Sequence, residues 1–79
     1  MLTPQQVIDT YFLEARHQLL EIAALLDRHD AAVARTGGDG RPGTSDVKLA
    51  AVREALAILA AAGPDEDRTV SLLELFAKV

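Results

Sequence analysis

Cysteine and tryptophan are absent from the 79 residues, and the aromatic complement is Tyr11, Phe12 and Phe76 alone. Without thiols there is no disulfide to staple a small fold and no thiolate site for a metal. A chain this short buries only roughly 60% of the surface that its unfolded form exposes. Small chains make up that shortfall with disulfides, a structural metal, regular helix packing or oligomerisation. With disulfides excluded, helix packing and association carry the expectation.

Long apolar runs are missing too: charges interrupt every stretch before it approaches the ~20 residues that span a bilayer. No membrane partner is expected. The opening Met1-Leu2-Thr3-Pro4-Gln5-Gln6 has none of the basic start, apolar stretch and small-residue cleavage site of a secretory signal, so a cytoplasmic location is expected. Nor is there a basic excess, since 8 Lys and Arg stand against 12 Asp and Glu for a net charge of −4. No surface is suited to neutralising phosphates, and nucleic-acid binding is not expected.

What the chain does have is aliphatic: 49% of its residues are hydrophobic, mostly Leu and Ala, which excludes overall disorder and favours closely packed helices. The expected fold is all-α, a single domain over 1–79 with one long helix and two shorter ones, assembled into a dimeric helical bundle. Thr3 suits a helix cap, Pro4 the first helical position and Gln6 the capping-box partner, so helix 1 is expected over about 4–35. Ile8, Phe12, Ala15, Leu19, Ile22, Leu26 and Val33 then recur at alternating spacings of four and three, with His29 in the remaining slot. Val7, Tyr11 and Leu25 widen this seam on one side and Ala23 on the other. Leu13, Leu20, Ala24 and Ala31 form a second strip, separated from the seam by Asp9, Arg16 and Asp27. One helix with two apolar strips needs two partners, and the second strip is the expected interface.

Residues 36–44 hold four of the five glycines together with Pro42, and read as a flexible connector. Ser45 is the expected cap of helix 2, over about 45–62, with Asp46 in its first turn. Leu49, Val52, Leu56 and Leu59 make its main stripe, and Val47, Ala51, Ala55, Ile58 and Ala62 make a flank nearly as apolar, so helix 2 should be the most buried element. Gly63 and Pro64 stop it. Asp65, Glu66 and Asp67 favour the start of helix 3, over about 65–78, whose inward face is expected to be Leu72, Leu73, Phe76 and Val79, with Val70 and Leu75 at the margins. Two short helices laid end to end would cover one side of the long one and leave its other side for a second copy.

Few residues suggest chemistry. Glu14, His17 and Glu21 share a helical face, and Glu-x-x-His is the motif by which helical bundles present ligands to a metal pair, so a divalent metal is the alternative to an expectation of no cofactor. Their place opposite the seam, and the single Glu54 offered by helix 2, favour an ordinary solvated pair instead. His29, beside Asp30 and close to Asp27, reads as a core-edge side chain rather than a base. Gly38-Asp39-Gly40-Arg41-Pro42-Gly43 spells G-x-G-x-x-G but follows a helix in a chain without a credible strand, and it lacks the lysine of a phosphate loop. Ser45 and Ser71 have no paired base at a suitable spacing, and no catalytic residue is expected. The expected function is therefore a non-enzymatic interaction and oligomerisation module, self-associating as a dimer. A heterologous protein partner would make it an accessory subunit or adaptor.

Overall fold

The structure is a computed structural model that describes residues 1–36, 44–63 and 65–79. Its regular structure is three helices, α1 (Pro4–Thr36), α2 (Thr44–Ala60) and α3 (Arg68–Ala77), with no strand among the described residues. The chain divides into two units, Met1–Gly40 and Arg41–Val79.

The first unit is α1, and its start is fixed by side chains. Thr3 N donates to Gln6 Oε1 at 2.8 Å while Gln6 N donates to Thr3 Oγ1 at 3.1 Å, the reciprocal pair expected from the sequence. Val7 N closes the first turn on the Thr3 carbonyl at 3.0 Å. One turn further on, Gln5 Nε2 donates to Asp9 Oδ1 at 2.9 Å. From there the helix runs without a break through His29 and Asp30 for 33 residues, a rod about 50 Å long at ~1.5 Å per residue. At its far end Arg35 supplies the positive charge that the macrodipole favours. There the Thr36 hydroxyl donates to the Ala32 carbonyl at 2.9 Å.

In the second unit α2 and α3 pack on each other. They therefore form a folded-back pair rather than the end-to-end arrangement that lengths alone suggested. Its core is small: Ala51 and Ala55, at 5% and 8% exposure, are the only buried hydrophobic residues described. Leu49, Val52, Leu56 and Ile58 are half-buried around them. The burial falls on the expected flank rather than on the main stripe, because alanine is where a second helix can approach most closely. α3 rises ~15 Å over its ten residues, enough to reach back along α2 from Ala60 to about Ala51.

The reversal explains why α2 stops at Ala60 and α3 waits until Arg68, rather than running to 62 and starting at 65. Ala61 N bonds to the Ile58 carbonyl at 3.4 Å in a tightened last turn. Gly63 then takes φ +59, a left-handed conformation that a side chain would resist. An Arg68 Nη2 donor satisfies the freed Ala61 carbonyl. Asp67 is the extended N-cap residue, and its carbonyl receives Ser71 N at 3.1 Å. No side chain caps the helix directly; instead the Ser71 hydroxyl donates to Glu66 Oε1 at 2.9 Å.

The inward face of α3 differs from the expected one. Arg68, Ser71, Leu72 and Leu75 are half-buried, whereas Leu73, Phe76, Val79 and Val70 are exposed. Both sets have helical spacing, so periodicity alone favours neither. Arg68, which bonds back to the Ala61 carbonyl, lies on the same face of α3 as the half-buried Leu72 and Leu75. The connector expected over 36–44 lies outside the described residues except for its ends, as do the glycine motif, Arg41 and Pro64. The cap expected at Ser45 falls outside the described side chains.

Candidate functional site

No residue of α1 is buried, and nine of its large apolar side chains are exposed: Val7, Ile8, Tyr11, Phe12, Leu13, Leu19, Leu20, Leu25 and Val33. Apolar contacts stabilise a helix of this kind only when its face meets another surface. The most exposed of the nine is Leu13, at 75%, on the expected interface strip with Leu20, at 55%. Ala24 and Ala31, the other two members of that strip, are exposed as well.

A shallow groove runs along this side of the helix, lined by Phe12, Ala15, Arg16, Leu19, Leu20 and Ala23. It joins Leu20 of the second strip to Phe12, Leu19 and Ala23 of the seam, across Arg16. Arg16 lies between the two strips, as expected from its position, with apolar side chains on either side. The signal was available, since the residues three and four positions away on either side of Arg16 are Phe12, Leu13, Leu19 and Leu20.

On the opposite side, His17 Nε2 lies 3.1 Å from Glu21 Oε1, with 73% and 68% of the two side chains exposed. Glu14 shares the face and is exposed. Among the described residues no group of three or more His, Asp or Glu side chains is arranged to hold a metal ion. The chemistry of Glu14, His17 and Glu21 here is that of a solvated face with one side-chain pair, which screening leaves weak. His29 Nδ1 meets Asp30 Oδ1 at 3.3 Å, so the seam histidine turns toward its neighbouring carboxylate.

The geometry defines a three-helix all-α protein whose prominent surface feature is an exposed apolar helix face. No helix among the described residues is long and apolar enough to cross a membrane. Comparison with protein-family models, curated proteins and solved structures gives no significant match.

Proposed function

We propose that this chain is a non-enzymatic helical interaction module of the cytoplasm that self-associates as a homodimer through α1, serving as an accessory subunit or adaptor for a heterologous protein. One observation carries the reading: a capped, unbroken 33-residue helix with no buried residue and nine exposed large apolar side chains. A helix with that much apolar surface in water gains stability from a partner at roughly 25 cal/mol per Å² removed from solvent. The strip formed by Leu13, Leu20, Ala24 and Ala31 is the proposed contact.

Analytical ultracentrifugation of the full chain at micromolar concentration tests the reading. A dimer is expected. A stable, folded monomer at that concentration overturns it.

A further inference from the structure

We propose, resting on the self-association above, that two copies pair antiparallel through the second strip of α1 about a two-fold axis level with residue 22, each Arg16 meeting the partner's Asp27. Arg16 and Asp27 are exposed. Neither takes part in an ion pair among the described residues, where the pairs are His17 with Glu21 and His29 with Asp30. The reason is positional. The residues within helical reach of Arg16 are Phe12, Leu13, Leu19 and Leu20; those within reach of Asp27 are Ala23, Ala24, Asp30 and Ala31. Each charge therefore stands in surroundings that offer it no opposite partner on its own helix.

Arg16 and Asp27 are separated by ~17 Å of helix rise and just over three turns, so they lie almost in line on one flank. A parallel, in-register pair would leave each charge level with its own like charge and bring neither to an opposite one. Reversing one helix sets cation over anion at two symmetric places, and it also opposes the two macrodipoles.

The apolar residues share that centre to within half a residue, about 0.8 Å of rise. Leu13 and Ala31 stand equally far on either side of residue 22, as do Leu20 and Ala24. An antiparallel pairing thus seats each Leu on the partner's Ala, large against small, which lets the helix axes approach. The apolar part of the strip is open to such a partner, with Leu13 75% and Leu20 55% exposed beside the exposed Ala24 and Ala31.

Charge reversal separates this geometry from dimerisation in general. In sedimentation equilibrium of the full chain, Arg16→Asp and Asp27→Arg should each raise the dimer dissociation constant by about tenfold, because each creates two like-charge contacts. The combined variant R16D/D27R should return to within about threefold of the parent. Both positions are exposed, so helix content by circular dichroism should stay at the parental value in all three. Single variants that dimerise as tightly as the parent, as a parallel pair would, overturn the antiparallel register and leave self-association standing. A parent chain that stays monomeric overturns both.

Discussion

α1 and the α2–α3 pair reach helical structure by opposite routes. α1 has a two-way hydrogen-bonded cap, a favourable charge in its last turn and 33 unbroken residues, yet buries nothing. The α2–α3 pair has no side-chain cap on α3, a tightened helix end and a left-handed corner, yet it holds the only buried hydrophobic residues described. Local signals suffice to draw a helix, whereas holding two short helices together takes contacts between distant residues.

The sharpest way to break this contrast is to attack the small core. Ala55→Glu forces a larger, charged side chain between α2 and α3, and should cost about 3 kcal/mol or more. Thermal unfolding followed by circular dichroism should show the contribution of the second unit lost, with α1 retained. If α1 melted with it, the two units would be one cooperative structure and the contrast would fail. Leu20→Glu on α1 should do the reverse, weakening the dimer more than about tenfold while leaving the α2–α3 pair folded. Sedimentation velocity beside near-unchanged helicity checks both halves of that expectation.

Arg68→Ala probes the side-chain bond that reaches from α3 back to the end of α2. It should cost about 1 kcal/mol by freeing the Ala61 carbonyl, offset in part because the buried Arg68 Nε has no partner among the described residues. Thr3→Ala is the corresponding cut at α1, also worth about 1 kcal/mol. Amide exchange should place the first loss between Ala60 and Ser71 and the second in the first turn of α1. His17→Ala should be the mildest, changing stability by only a few tenths of a kcal/mol because its Glu21 pair is solvated. Elemental assay of untagged parent and His17→Ala proteins should show no metal lost with the imidazole; a bound ion that vanished on mutation would restore the metal reading.

The legible features are those whose cause lies within a few residues. Thr3, Pro4 and Gln6 announce the start of α1, and their hydrogen bonds form where the sequence puts them. Gly63 marks a corner that needs positive φ, and it has one. The all-helical class, the three helices and the concentration of burial in α2 follow from apolar spacing and from the absence of any strand pattern. The exposed face of α1 was legible in the same way, as a surplus of apolar positions. Arg16 falls between the two strips, where its nearest helical neighbours, Phe12, Leu13, Leu19 and Leu20, are all apolar.

Other features turn on contacts that no local pattern encodes. α3 carries two faces of helical spacing, Leu72 with Leu75 and Leu73 with Phe76, and residue types rank the second as the better core. The first is the half-buried one, on the side from which Arg68 reaches back to Ala61, in the unit whose buried residues are Ala51 and Ala55. Composition and spacing dictated that there would be three helices, roughly where they begin, and that one would be rich in uncovered apolar surface, since hydrogen bonding over three or four residues sets those features. Which side of α3 turns inward, where α2 gives way and which alanines become core were settled only in three dimensions, because each depends on groups that meet after the chain has reversed.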